Sequence, residues 1–365
     1  MRVLLVVKNM RLSNGVSSYA MNYYRQLVCD KFNYDFLVVN DVESPYYAEI
    51  KKSGGKVFLM PSYKKEPLKV IPYLKKVFKE NQFDVVHCNV MNSGSLILMM
   101  AKICGVKVRI LHSHATQTGD KAWKKIRNKL FCSITLKCSN TYFACSHLAG
   151  DYLFGKNNYF LIPNAIEIGQ YKFSSINREE IRNTLGIGEF KVIMTVGRFT
   201  HQKNPFFIVD IIKQYSKTHK DFVFWWFGNG ELEEKVKEYA TNQNIIDKII
   251  FWGARADVNK YYSAADVFIL PSLYEGLPVV GIEAQIAALP IVFSDNISKE
   301  AKISNNVEFE NIKDPMVWCS TIDNVVSKDR VENEKSVKFF EWDISKQAEK
   351  LAEIYNKLIN RETKK

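Results

Sequence analysis

The stretch Asp266–Asp295, DVFILPSLYEGLPVVGIEAQIAALPIVFSD, decides how the rest of the chain is read. It opens with a short apolar run rich in Val, Ile and Phe, breaks at Pro271 and Ser272, and takes up helical spacing after Pro278. The run PIVFSD that follows reads as a second strand, so the unit is a strand, a crossover helix and a returning parallel strand. Sheets built from such units bind ligands beyond the carboxyl ends of their strands. Here that end carries Glu275, a helix start and, about a turn and a half further along, Glu283. Free N–H groups at a helix start attract phosphate, and carboxylates accept hydrogen bonds from hydroxyls. A phosphorylated sugar carries both groups and suits the arrangement.

Outward from this stretch, the second half of the chain keeps the same alternation. Strand KVIMTVGRF, helix PFFIVDIIKQYSKTH, strand FVFWWFG, helix ELEEKVKEYATN, strand KIIFWG and helix DVNKYYSAA lead into the opening strand. The first half repeats the theme, with strands expected at residues 3–7, 35–39, 56–60, 84–89, 108–112 and 141–145. Helices are expected in SSYAMNYYRQLV, KVIPYLKKVFKE, SGSLILMMAKIC and KAWKKIRNKLFCSITLK. Apolar runs without polar alternation are those of strands buried on both faces. The expected fold class is α/β, two Rossmann-like doubly wound domains facing a cleft. The boundary falls between Asn164 and Ser175, where YFLIPNAIEIGQYKF gives way to the polar SSINREEIRNTLGI, and is set at residues 168 and 169. A last helix, ISKQAEKLAEIYNKLIN, has an apolar stripe at Ala348, Leu351, Ile354, Tyr355 and Leu358, and periodicity does not say which domain receives it.

A length of 365 residues with 47% hydrophobic content suits two cores and excludes whole-chain disorder. The formal charge of +12 admits nucleic acid, an anionic membrane surface or phosphorylated small molecules as partners, without choosing among them. MRVLLVVKNM has too short an apolar run, and no cleavage site, for a leader and reads as a strand. No stretch approaches the roughly 18 apolar residues of a membrane span, so a cytoplasmic protein, soluble or peripheral, is expected. The seven cysteines, Cys29, Cys88, Cys104, Cys132, Cys138, Cys145 and Cys319, form no paired CxxC spacing and read as reduced thiols packed in the core. No zinc site is expected.

Candidate chemistry gathers at strand ends. KVIMTVGRF is expected to end at Arg198, and THQKN leads to a helix starting at Pro205, so Arg198 and Lys203 lie beside a helix start where they can hold a diphosphate. Taken alone, the two are better explained as solvated loop cations; the Glu275 loop on the same edge reverses that preference. In RLSNGVSSYA, Gly15 sits in a strand-to-helix turn that lets backbone approach phosphate, although the stretch is not the GxGxxG pattern. VRILHSHA ends in His112, Ser113 and His114; alternation of faces is expected to send one of the two histidines into the cleft, and His114, further into the loop, is chosen. His87 reads as internal to its strand. The run with Lys121, Lys124, Lys125, Arg127 and Lys129 among Trp123, Ile126, Leu130 and Phe131 suits an interfacial helix on an anionic membrane, and an ordinary surface helix equally well. No serine stands in a GxSxG elbow.

In that order along the chain, IPNAIE, VGRFTHQKN, GNGELEEKVKEYA and FWGARADVNKYYSAADVFILPSLYEGLPVVGIEAQIAALPIVFSD resemble the retaining glycosyltransferases of family 4, with the GT-B fold. The likeness covers the second domain and reaches NGVSS and LHSHA in the first; EGLPVVGIE matches the family's two glutamates separated by seven residues. The resemblance implies that Arg198 and Lys203 hold a donor diphosphate with backbone amides near Gly15 and Val279, that Glu283 binds the ribose, and that Glu275 lies beside the transferred sugar with Gly276 and Leu277. It places His114 near sugar and acceptor and Arg255 near the base. It implies no metal and no cofactor beyond a nucleotide-sugar substrate, UDP by default, and a C-terminal helix from about 343 to 365 returning to the first domain. Leu277-Pro278 and NAIE depart from the family's usual Phe-Gly and NGID.

The expected activity is transfer of a sugar from a nucleotide diphosphate sugar to an acceptor hydroxyl with retention. The acceptor is expected to be a glycan or a lipid-linked sugar in bacterial surface polysaccharide synthesis, with peripheral contact to the inner face of the membrane. A nucleotide-sugar epimerase of the same fold is the alternative. A nucleic-acid binder is disfavoured, because no helix-turn-helix, zinc or RNP-like pattern accompanies the charge.

Overall fold

The computed structural model describes residues 1–12, 14–28, 32–40, 42–114, 131–326 and 337–363. The chain divides into two compact units, Met1–Ile166 with Glu341–Lys365, and Glu167–Phe340. Each is built on a parallel sheet flanked by helices.

In the first unit the strands are β1 (Arg2–Val7), β2 (Asn33–Val38), β3 (Val57–Leu59), β4 (Val85–Cys88), β5 (Val108–Ser113), β6 (Thr141–Ala144) and β7 (Phe160–Leu161), in the order β3-β2-β1-β4-β5-β6-β7. Alternate residues of β1 enter different cores, as the period of two in a strand requires. Val3, Leu5 and Val7 pack with residues of the helices Gly15–Leu27 and Ile344–Thr363, whereas Leu4 and Val6 pack with those of Pro67–Asn81 and Gly94–Ile103. The stripe read from the last helix is what docks it: Ala348, Leu351, Ile354 and Tyr355 are buried in the first core together with Ile344, and Leu358 packs against it half-buried. Burying its large apolar side chains at about 1.5–3 kcal/mol each gives a total comparable with the net stability of a whole domain, about 5–15 kcal/mol.

In the second unit β8 (Lys191–Val196), β9 (Phe222–Phe227), β10 (Ile249–Gly253), β11 (Val267–Leu270), β12 (Ile291–Ser294) and β13 (Val307–Glu310) lie in the order β10-β9-β8-β11-β12-β13. In both sheets the strand order reverses beside the first strand, between β1 and β4 and between β8 and β11. That reversal opens the crevice in which such sheets take ligands.

Several details differ from expectation. Strand β8 ends at Val196, two residues short of Arg198, because Gly197 and Gly228 pass backbone to backbone there. A Cβ on Gly228, whose φ is +134°, would lie 2.1 Å from the Gly197 carbonyl oxygen, so only glycine fits. The helices Tyr46–Lys52 and His147–Phe154, the helix Pro315–Val326 and strands β7 and β13 were not read from sequence. Tyr46–Lys52 buries only Tyr46 and Ile50, too few anchors to show a period, and β13 is the charged VEFE. Among the described cysteines Cys88, Cys138, Cys145 and Cys319 are buried free thiols, whereas Cys104 and Cys132 are only half-buried. No helix among the described residues is long and apolar enough to cross a membrane. The basic run from Lys121 to Leu130 lies outside the described residues; Phe131, which follows it, is exposed.

Candidate active site

In the second unit, two loops at the carboxyl ends of β8 and β11 are joined by main-chain and side-chain bonds. Gln202 accepts from the Leu273 N–H through its carbonyl (2.8 Å) and donates its Nε2 to the Tyr274 carbonyl (3.1 Å). This joint brings Lys203, in the short turn His201–Lys203, to Glu275: Nζ lies 2.6 Å from Oε1, with both side chains largely shielded from water. Ser272, fully buried, donates its hydroxyl to the same Oε1 at 3.1 Å, and its carbonyl accepts from Ser294 Oγ at 2.6 Å. The aliphatic stem of Lys203 passes 3.3–3.5 Å from where a Cβ on Gly197 would lie, next to Arg198. Arg198 itself is exposed and has no side-chain hydrogen bond or ion pair among the described residues. Pro205 begins the following helix, and Asn204 precedes it in the left-handed conformation.

The crossover helix is Val279–Ile286, capped at Pro278 without a side-chain bond to its first N–H groups, so the Val279 N–H is one of the donors that a helix start leaves without an intrahelical partner. Gly276 is half-buried and Leu277 is buried beside them. Glu283, inside the helix, is buried; Tyr262 donates its hydroxyl to Oε2 at 2.8 Å, and Tyr171 makes a second side-chain bond. Burial raises the Glu283 pKa, and the two tyrosine bonds pull against it. Arg255 follows β10 as an exposed side chain bound bidentately to Asp257 (2.8 and 2.8 Å) and lying over Trp252 and Tyr261 (5.4 and 5.2 Å to the ring centroids). These aromatic neighbours limit the motion of its guanidinium.

In the first unit the candidate residues are a glycine at a helix start and a group of histidines. Gly15 is the first residue of the helix Gly15–Leu27, where Asn14 Oδ1 accepts from the Val16 and Ser17 N–H groups (2.9 and 3.2 Å). A Cβ at Gly15 would meet nothing within 4 Å, so neither packing nor backbone angle demands glycine there. His114 follows β5, and its Nε2 bonds Asn89 Oδ1 at 2.8 Å. Asn89 Nδ2 is directed at the Val6 and His87 carbonyls (3.3 and 3.4 Å), which leaves Oδ1 as the acceptor and puts the His114 hydrogen on Nε2. The expectation that His112 and His114 point apart fails: residues two apart in a strand share a face, and the rings stack with centroids 4.0 Å apart at 29°. His112 Nδ1 bonds His87 Nε2 at 2.9 Å, and His87 Nδ1 bonds the Tyr355 hydroxyl at 2.6 Å. Burial drives His87 down to about 3 and His114 down to about 4, and holds His112 well below the usual imidazole range. All three imidazoles are therefore neutral at physiological pH.

The structure thus joins Lys203 with Glu275 directly, places Arg198, Val279 and Glu283 on the same unit, and gathers His114 with His112 and His87 on the other. Sequence reasoning missed Ser272, Tyr262, Tyr171, Asn89 and Tyr355. Asn89, at the end of its strand, was visible; the tyrosines were hidden among core aromatics. Among the described residues no group of three or more His, Cys, Asp or Glu is arranged to hold a metal ion. Fixed cations beside uncapped helix amides can bind a polyanion, and neutral imidazoles beside an asparagine can bind hydroxyls.

Two family models match the chain, Glycosyltransferase Family 4 over residues 13–170 and Glycosyl transferases group 1 over residues 177–315. EpsF of Bacillus subtilis (strain 168) is 29% identical over 370 residues, covering 97% of this chain and 96% of that protein. The UDP-Gal:alpha-D-GlcNAc-diphosphoundecaprenol alpha-1,3-galactosyltransferase of Escherichia coli is 26% identical over 339 residues, 88% of this chain and 85% of its own. Among solved structures, Anabaena Alr3699/HepE in complex with UDP and glucose superimposes with a TM-score of 0.82 at 14% identity, over 98% of this chain and 99% of that one, and shows the fold as GT-B.

Proposed function

The chain belongs to the glycosyltransferases that these two models describe, and from that premise we propose that it moves a sugar from a UDP-sugar to an acceptor hydroxyl with retention of configuration. The Lys203–Glu275 pair carries the proposal, because it sets a shielded cation beside a carboxylate where the strand order of the second sheet reverses, the place at which such sheets take ligands. On this reading Arg198 and Lys203 neutralise the departing diphosphate together with the amides of Val279 and Gly15, and no metal ion is required. Glu283 accepts from the ribose hydroxyls, and Arg255 lies near the base. Glu275, Gly276 and Leu277 border the transferred sugar, and His114 receives a sugar or acceptor hydroxyl. The catalytic gain comes from fixed charge where charge develops, worth about 2.7–4 kcal/mol for one such donor.

The diphosphoundecaprenol-linked acceptor named for the Escherichia coli relative supports a glycan or lipid-linked acceptor, and the formal charge of +12 is the ground for proposing peripheral contact with the cytoplasmic face of an anionic membrane. A thermal-shift panel of UDP, GDP, ADP and CMP sugars tests the donor site. A UDP-sugar is expected to stabilise the wild type and not Arg198→Ala. If none stabilises the wild type the donor site is misplaced, and equal stabilisation of the variant removes Arg198 from the phosphate role.

A further inference from the structure

Glu275 and Glu283 follow the same strand, β11, and are held in different ways. Glu275 spends Oε1 on the Lys203 ammonium and the Ser272 hydroxyl. Glu283, buried in the helix Val279–Ile286, has no cation beside it among the described residues; the hydroxyls of Tyr262 and Tyr171 hold it instead. Burying a carboxylate without a cation costs free energy that hydrogen bonds only partly offset. What the arrangement keeps is accepting power. A carboxylate has about four lone-pair sites, so two tyrosine hydroxyls leave acceptor sites for the hydroxyls of a ligand.

Tyr262 is placed to fix that carboxylate. It stands in Val258–Ala264, the helix that leads into β11, and its relative exposure is 0%. Its ring packs against Phe268 of β11 and against Tyr171, with centroids at 6.0 and 6.2 Å. One turn earlier on the same helix, Asn259 donates its Nδ2 to the Gln170 carbonyl at 3.1 Å, which ties the Tyr171 segment to Val258–Ala264. Few torsions separate a tyrosine ring from its backbone, so a packed ring also sets the position of its hydroxyl. That hydroxyl lies 2.8 Å from Glu283 Oε2 and donates to it. Glutamate is longer and has more rotamers; the bond from Tyr262 selects one of them.

We propose that Tyr262 is a positioning residue for the nucleotide: its hydroxyl aims the Glu283 carboxylate at the ribose, so that the site selects a nucleotide carrying the ribose hydroxyls. The inference rests on the proposed place of Glu283 at the ribose and adds the group that holds it there.

Calorimetric titration of the full chain with UDP and with 2′,3′-dideoxy-UDP tests it, because the two ligands share the diphosphate and the base. The wild type is expected to prefer UDP about ten- to hundredfold. Tyr262→Phe removes one oxygen and keeps the ring. It is expected to lose about tenfold in UDP affinity and less than about twofold in dideoxy-UDP affinity, so the preference shrinks. A preference is a ratio taken on one sample, and a reduced folded fraction leaves it unchanged. A variant that keeps the wild-type preference, or that weakens both ligands equally, overturns the proposal. Glu283→Gln is expected to shrink the preference at least as far, and adding Tyr262→Phe to it to change UDP affinity less than about twofold, because the hydroxyl acts through the carboxylate. A tenfold further loss in the double variant overturns the proposal. If Glu283→Gln loses the preference and Tyr262→Phe does not, Glu283 keeps its place and Tyr262 alone is removed. If Glu283→Gln retains the preference, or the wild type has none, the ribose reading falls and this inference falls with it.

Discussion

The two units use opposite electrostatics at the same place in the same topology. The second unit concentrates charge at the ends of β8 and β11, with an exposed Arg198 and a Lys203–Glu275 pair that a serine helps to hold. The first removes charge at the ends of β4 and β5, where three histidines are buried until none is protonated. A doubly wound sheet supplies strand ends and helix starts in both cases. What differs is the residues the loops carry, so the fold gives the position of a site and the side chains give its chemistry.

The sharpest test of this contrast is Lys203→Met, which leaves the shielded Glu275 carboxylate without its cation. We expect kcat/KM to fall about 10²–10³-fold in initial-rate assays; a loss below tenfold would show that the second unit does not act through charge. Glu283→Gln is expected to weaken UDP-sugar binding roughly ten- to hundredfold by calorimetry. The same change is expected to raise stability at neutral pH. The Glu283 pKa is raised in the fold, so the stability it contributes is present below its unfolded pKa and is lost as pH climbs through the raised value. A variant less stable than wild type near pH 7 would contradict that sign.

The histidines give the converse. Their pKa values are depressed, to about 4 for His114 and about 3 for His87, so the unfolded chain takes up protons as pH falls below about 6.5 and the fold loses stability over that window. His114→Gln should flatten the slope of unfolding free energy between pH 6 and 5 by up to about 1.4 kcal/mol per pH unit, read by urea denaturation at each pH. An unchanged slope would mean that His114 is not held neutral. The smallest effect is expected from Gly15→Ala. With open space around the new methyl group, stability should move by less than about 1 kcal/mol, while any loss of UDP-sugar affinity would report a phosphate passing close to that backbone.

Most of the fold was legible because buried parallel strands are mostly apolar runs: β11 is VFIL, β1 is VLLVV after Arg2, and β4 and β8 are interrupted inside only by His87 and Thr195. Elements with few apolar anchors, such as Tyr46–Lys52 and the VEFE strand, gave no period to read. In the site, Lys203 and Glu275 stood out as charged residues in loops beyond strand ends, and Glu283 as a carboxylate inside a mostly apolar helix. Tyr262 and Tyr355 did not stand out, because a tyrosine in an apolar stripe looks like any core aromatic until its hydroxyl is seen to bond Glu283 or His87. The face shared by His112 and His114 was legible in principle from their spacing of two, and reading alternation as separating them was an error of parity.

The return of the helix Ile344–Thr363 to the first unit also orders the events of synthesis. The first strand leaves the ribosome early, yet the core it belongs to includes Leu351, Ile354 and Tyr355. The second unit, contiguous in Glu167–Phe340, holds all its partners before that helix has been translated. The unit made first therefore closes last, and its incomplete apolar face needs protection while the other folds.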